Sequence, residues 1–152
     1  MLVSTMVEDW EPLFADSDSH DEVQRILSGF IKGSNVALMA YGIMEHHVHL
    51  LVGHPENGGG VSKFVGGFKS LVSRRMFPDR KGIWKPRFDD VIVISDHVFR
   101  IKLNYIHDNP VRARYVRESE DWRWSSARFW LREEPHDHLT RSWSWVERKS
   151  VA

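Results

Sequence analysis

An α+β fold is predicted over residues 1–132 from three features of the 152-residue sequence. Short β-branched or apolar runs alternate with longer stretches whose apolar residues recur at 3/4 spacing. Two of the apolar runs are joined through a short polar break, as in a hairpin. A further helical stretch follows the last strand. The order βαββαβ plus a helix is the ferredoxin-like (RRM-like) arrangement: an antiparallel sheet with two helices on one face, the other face left for an added helix. Residues 133–152, where the periodicity fades, read as a loose C-terminal tail in which Trp143 and Trp145 are candidates to dock.

The elements follow in order. Residues 2–7 form a first short strand and residues 8–12 a turn. Ser17 or Ser19 can cap a helix with Asp21 and Glu22 in its first turn. Its apolar positions are Val23, Ile26, Leu27 and Phe30, and Gly33 stops it. Residues 35–44 make a β-rich apolar strand, and the Glu45-His46 break turns it into a strand from His47 to Val52. Residues 55–60 form a flexible loop. A second helix over residues 61–77 places Val61, Phe64, Phe68, Leu71 and Val72 on its apolar side and Lys63, Lys69, Arg74 and Arg75 on the other. A fourth strand spans residues 89–94, and Ser95 or Asp96 caps a third helix that Asn109-Pro110 terminates. Trp122 to Ser126 opens a short last helix running to Leu131.

Composition narrows the function. The chain has no cysteine, which excludes disulfides, thiolate metal sites and cysteine nucleophiles. A domain of this size needs no metal merely to stay folded, so a metal here would serve function. There is no signal pattern and no apolar run of about 18–20 residues, so a cytoplasmic protein without a membrane partner is expected. Net charge is zero, yet residues 1–62 carry 2 Lys/Arg against 9 Asp/Glu while residues 63–117 carry 13 against 5. That asymmetry suits a polyanion-binding surface, with a solvated helix face as the alternative. The candidate contacts are Lys63, Lys69, Arg74, Arg75, Lys85, Arg87 and Lys102.

The chemistry is carried by the histidine strand. Alternate side chains share a face, so His47 and His49 point one way while Val48, Leu50 and Val52 point the other. The two rings start roughly 6.5–7 Å apart at the backbone, close enough to meet on one divalent ion. Two satisfied histidines on a half-exposed sheet face are the alternative. On the third helix, Phe99, Leu103 and Ile106 form the core stripe, while Tyr105 and Asn109 are an i, i+4 pair on a flank, with Lys102 on the same side. Taken singly, Tyr105 reads as a half-buried packing residue and Asn109 as a helix C-cap.

Together these residues resemble a known family. Ile43-Met44-Glu45-His46-His47-Val48-His49-Leu50-Leu51-Val52 resembles the "MPNHVHLLV" stretch of the HUH single-tyrosine transposases, and Tyr105 to Ala113 resembles their "YIHxNPVxA" segment. Trp84 to Val91 is similar to "WQRGYYDxxI" and Asp121 to Ala127 to "DWPWSSY". The ordered set is most similar to the branch of REP-associated tyrosine transposases and spans about residues 2–131. The resemblance implies His47 and His49 as metal ligands, Asn109 at the third ligand position, Mg²⁺ or Mn²⁺ as the ion, and Tyr105 as the nucleophile. It implies cleavage and rejoining of single-stranded, hairpin (REP-like) DNA through a 5′-phosphotyrosine, by a monomer or a homodimer. Such chemistry suits the residues: ionising a phenol at pH 7 costs about 4 kcal/mol, part of which a nearby cation offsets. The chain departs from the family where Glu45-His46 replaces Pro-Asn, so that His46 could compete as a ligand, where Arg114-Tyr115 replaces Gly-Leu, and in the first strand, which lacks the His-Val-Thr pattern.

Two other functions compete. A domesticated or inactive relative would bind the same DNA without cutting it. An RRM-like RNA binder would stack bases on sheet aromatics, but its glycine-aromatic signature is missing from the strands.

Overall fold

Side-chain alternation sorts the apolar residues onto the two faces of one sheet. The computed structural model describes residues 2–6, 11–53, 58–87, 89–93 and 95–141. Its elements are β1 (Leu2–Met6), α1 (Ser17–Lys32), β2 (Ala37–Ile43), β3 (His47–Gly53), α2 (Gly58–Met76), β4 (Asp89–Val91), α3 (Asp96–Arg112), a 3-10 turn (Ser119–Asp121) and α4 (Ala127–Leu131). The four strands form one sheet in the order β2-β3-β1-β4, with every neighbouring pair antiparallel. The α+β expectation is met.

On one face, Val48, Leu50 and Val52 of β3 pack with Val23, Ile26 and Leu27 of α1 and with Phe64, Phe68 and Val72 of α2. On the other face, Met39, Ala40 and Leu51 pack with Phe99, Leu103 and Ile106 of α3. Leu38 and Tyr41 both face the α1/α2 core although strict alternation would separate them. A register shift between Leu38 and Ala40 resolves this: Met39 is the extra residue of a bulge and restores the parity. Because α3 lies over the second face at β2 and β3, base stacking on that part of the face, as an RRM-like binder would need, is sterically closed.

Element ends differ from the sequence expectation in instructive ways. Asp16, not Ser17 or Ser19, caps α1, its carboxylate accepting from the Ser19 N–H at 2.7 Å. Helix α2 begins at Gly58, inside the stretch expected to be loop. Strand β4 is only Asp89–Val91. Ser95 caps α3 as expected, accepting from the Val98 N–H. Pro110 does not end that helix, which continues to Arg112. A proline in the last turn removes one N–H from the ladder, and the turn still closes through Ala113 N–H to the Asn109 carbonyl (2.9 Å) and Tyr115 N–H to the Pro110 carbonyl (2.9 Å). The chain then leaves the helix through Arg114, held at φ 64° in the left-handed region. Expectations for Val7, residues 8–10, residues 55–57, Ile94, Trp143 and Trp145 fall outside the described residues.

Residues 122–126 are not helical; they cover the outer edge of β2. Ile43 N–H donates to the Trp124 carbonyl at 2.9 Å, Ser126 N–H to the Tyr41 carbonyl at 3.0 Å, and the Trp122 indole N–H to the Ile43 carbonyl at 3.0 Å. An edge satisfied in this way cannot template pairing with another chain. Further along, Leu139 bridges Leu38 in parallel, and Thr140 N–H donates to the Leu38 carbonyl at 3.0 Å, so the stretch expected to open a loose tail lies against β2 up to that point. This packing also buries two histidines. His20 sits against Trp122 and Trp124, with ring centroids 5.3 and 4.5 Å away, and neither of its nitrogens has a hydrogen-bond partner among the described residues. The His107 Nε2 meets the Ser126 hydroxyl at 2.8 Å.

Two outcomes follow. Replacing Arg114→Gly should raise stability by about 0.5–1 kcal/mol, because a left-handed residue with a Cβ costs about 1–2 kcal/mol and glycine gives back part of that gain as unfolded-chain entropy. Thermal denaturation should show a midpoint roughly 2–4 °C higher, and a lower midpoint would mean the Arg114 side chain contributes more than the strain costs. Burial pushes His107 down to about 4 and lowers His20 as well, against the opposing pull of nearby carboxylates. Between about pH 6.5 and 4 the unfolded chain therefore binds more protons than the folded one, so stability is full above pH 6.5 and falls on acidification. The unfolding midpoint should be lower at pH 5 than at pH 7.5, and His107→Gln should reduce that difference, the other buried histidines keeping the rest.

Candidate active site

The site lies between the centre of the sheet and the flank of α3. Strand β3 is paired on both sides, with His49 opposite Ser4 of β1 and Gly42 of β2. Position parity sends His47, His49 and Leu51 toward α3, as the sequence predicts. Both imidazoles are buried, His47 with 7% and His49 with 2% of its surface exposed. Their ring centroids are 4.5 Å apart and nearly perpendicular.

Helix α3 supplies the rest. The Asn109 amide nitrogen lies 3.3 Å from His49 Nε2, and the same side chain bonds His47. Turning the amide over brings its oxygen to the same place. One turn earlier, the Tyr105 ring stands edge-on to His49 at 5.3 Å between centroids. Tyr105 remains 40% exposed, open to a substrate from solution. Alongside it, a shallow recess of about 560 Å³ runs along α3, bordered by Ile101, Asn104, Tyr105, Asp108, Val111 and Arg112. The four residues singled out from sequence, His47, His49, Tyr105 and Asn109, thus meet within one chain.

Electrostatics keep the imidazoles neutral. Burial pushes His47 down to about 3, helped by the neighbouring His49 and His46 and opposed by the bond to Asn109. Burial likewise pushes His49 down to about 4, helped by Arg112 and then His46. A neutral imidazole is the form that ligates a metal. Among the described residues no group of three or more His, Cys, Asp and Glu is placed to hold a metal. A divalent ion here would take two imidazole nitrogens and one amide oxygen, leaving further positions for water or phosphate oxygens. All three donors are uncharged, so the ion would keep its full charge to attract a phosphate. Two imidazole nitrogens and one amide oxygen can hold a divalent ion with positions left open; by softness the set admits transition ions as well as Mn²⁺ and does not select Mg²⁺.

One residue at the site, Arg112, went unnoticed in the sequence, and His46, a candidate competing ligand by its place in the altered turn, stands beside His47. His46 Nδ1 meets His47 Nδ1 at 2.8 Å, a contact between adjacent residues that only the turn geometry brings about. Arg112 carries its guanidinium 4.6 Å from the Tyr105 ring centroid and donates from Nη2 to the Tyr105 carbonyl at 3.2 Å. At 100° per residue Arg112 falls about 20° from Tyr105, so helix spacing would have found it had the helix not been ended at Pro110.

The basic residues are not gathered at this site. Lys63, Arg74 and Arg75 are exposed on α2, which packs on the opposite face of the sheet. Lys69 turns inward, its amine donating to the Lys85 carbonyl at 2.8 Å and lying 6.0 Å from the Trp84 ring centroid. Lys85 is half-buried and Arg87 exposed, both in the segment before β4. Only Lys102 shares α3 with Tyr105.

Comparisons with known proteins agree with this arrangement. Residues 6–109, from the end of β1 through Asn109, match the family described as Transposase IS200 like. The "Putative REP-associated tyrosine transposase" of Haemophilus influenzae is 29% identical over 96 residues, covering 55% of this chain and 54% of that protein, so the chain spans about half the length of this curated relative. Among solved structures, a REP-associated tyrosine transposase bound to a REP hairpin superposes with a TM-score of 0.75 at 18% identity, over 93% of this chain and 84% of the other. A "putative transposase" of Deinococcus radiodurans gives 0.51 at 23% identity, over 70% and 87%. With well over half of its length matched, this chain belongs to the IS200-like transposase family.

Proposed function

We propose that this chain is a metal-dependent endonuclease and strand transferase acting on single-stranded DNA that carries a hairpin. The observation that carries the reading is the meeting of a solvent-open tyrosine with two neutral buried imidazoles and an amide, Tyr105 at 5.3 Å from His49 and Asn109 at 3.3 Å from the same ring. The hairpin follows from the REP hairpin held by the structural relative. We further read the β2-β3-β1-β4 order as the ferredoxin-like arrangement, with α3 as the added catalytic helix.

In the proposed reaction the Tyr105 oxygen attacks phosphorus and the bond from phosphorus to the 3′ oxygen breaks. The phenol loses its proton, and the departing 3′ oxygen gains one as a hydroxyl. A 5′-phosphotyrosine remains, which conserves the phosphodiester for rejoining or transfer without ATP. A divalent ion held by His47, His49 and Asn109 would supply Lewis-acid polarisation of the phosphate oxygens. His47 and His49 keep neutral donors on that side, and the packing of α3 fixes Tyr105 beside them. Exposed Lys63, Arg74, Arg75 and Arg87, together with Lys102, are proposed contacts for DNA phosphates away from the reacting bond; Lys69 and Lys85 are proposed more weakly, since the Lys69 amine already has a carbonyl partner.

A 3′-labelled hairpin oligonucleotide incubated with protein and Mn²⁺ should give a covalent band on a denaturing gel. Tyr105→Phe should abolish the band while DNA binding survives, and Tyr41→Phe and Tyr115→Phe should retain it. Tyr41 is buried, with its hydroxyl accepting from Gln24 at 2.7 Å, and Tyr115 packs on Trp122. An adduct that persists in Tyr105→Phe would assign the nucleophile elsewhere, and the absence of an adduct in wild type on every hairpin tried would favour binding without cleavage.

Metal binding offers a separate check. Titration calorimetry with Mn²⁺ should show one site that His47→Ala or His49→Ala removes. Because both imidazoles are held well below 6.5, at about 3 and 4, protons should not compete between pH 7.5 and 5.5, and the affinity should be nearly flat there. A steep loss of affinity around pH 6.5 would mean that the ion is held by ordinary solvated histidines.

A further inference from the structure

Arg112 has a geometry that helix capping alone does not explain. A basic residue in the last turn of a helix complements the helix dipole, and that role asks only for charge near the C-terminus. Arg112 instead folds back along the helix, with its guanidinium 4.6 Å from the Tyr105 ring centroid and bonded to the Tyr105 carbonyl. Among the described residues no carboxylate lies within ion-pair distance of it, as is true of most of the described arginines. A planar, uncompensated cation therefore stands beside the proposed nucleophile and near a proposed metal ligand, on the border of the recess along α3.

We infer that Arg112 binds the scissile phosphodiester and holds it against Tyr105. The inference rests on the strand-transfer reading above and adds to it a second positive group. The guanidinium fork matches two phosphate oxygens, and its stacking on the tyrosine fixes both partners in one orientation. Arg112 would act on the phosphate together with an ion held by His47, His49 and Asn109 as charge builds on its oxygens.

The test compares Arg112→Gln and Arg112→Lys with wild type in single-turnover adduct formation at saturating hairpin DNA. Both should slow the adduct by about 10²-fold, with Arg112→Lys still well below wild type because an ammonium offers neither the fork nor the stacking. In Arg112→Lys, which keeps the charge at the helix end and alters no metal donor, melting temperature and Mn²⁺ affinity should be unchanged. Anisotropy in a Tyr105→Phe background gives a readout independent of cleavage: adding Arg112→Gln should weaken single-strand binding and lower the slope of log K against log salt by about 0.7. Wild-type rate and affinity in Arg112→Gln would overturn the inference, and so would weakened affinity with full rate at saturation, which would place Arg112 on another phosphate. If wild type forms no adduct, the strand-transfer reading fails and the anisotropy arm alone decides whether Arg112 holds a phosphate.

Discussion

Ile106 rests where a side chain on Gly42 would otherwise stand. It is completely buried, and a Cβ added to Gly42 would come within 3.3 Å of its Cγ2. The absence of a side chain at this point of β2 lets Ile106 sit a few tenths of an ångström closer to the sheet than a Cβ there would allow. Neighbouring Phe99 and Leu103 hold the same face of the helix down on Met39, Ala40 and Leu51. Once that face is fixed, the helix period dictates where the flank goes, and the flank carries Asn109 to His49 and Tyr105 one turn away. A lateral shift of α3 by even an ångström would separate the amide from the imidazole, so a packing contact with no chemistry of its own decides the chemistry.

What could be read from sequence was whatever depends on a period. The alternation in β3 gave the shared face of His47 and His49, and the 3.6-residue repeat gave both the core stripe of α3 and the pairing of Tyr105 with Asn109. The four motifs named the family that the matched residues then bore out. What could not be read depends on partners distant in the chain or on local closure of the backbone. Residues 122–126 look like the start of a helix until the open edge of β2 claims their backbone groups. The bulge at Met39 is invisible in a run that is apolar throughout. Pro110 looks like a stop because in mid-helix it would be one; in the last turn it removes only one bond. The basic middle third is a statement about composition, and the fold divides it between α2 on one face of the sheet and α3 on the other.

Burial of the histidines shapes the site twice. Withdrawn from water, the rings cannot hold a proton at ordinary pH, so they stay ready as donors. The same withdrawal lowers the local dielectric response, so a cation and a phosphate brought there would interact far more strongly than in bulk water. The tyrosine is treated differently. It is left partly exposed, which under the proposed reaction lets it meet a strand arriving from solution, while its backbone belongs to a helix packed on the sheet.

The extension of α3 beyond Pro110 connects strain with this geometry. Two more residues of helix bring Arg112 back over Tyr105, and the chain must then turn away at once. It does so through Arg114 in the left-handed region, at the position where the resembling family has glycine. A left-handed arginine costs about 1–2 kcal/mol, and the proline forfeits a backbone bond just before it. Neither cost improves the core, since Arg112 and Arg114 are both exposed. The strain lies within three residues of the Arg112 guanidinium and ten of the tyrosine. Backbone strain of this kind persists only where surrounding packing overrides it, here the Tyr115 ring on Trp122 and the Tyr115 N–H on the Pro110 carbonyl. The helix end is therefore fixed by residues that pack behind it, which leaves its outer face, with Tyr105 and Arg112, unconstrained by the demands of the core.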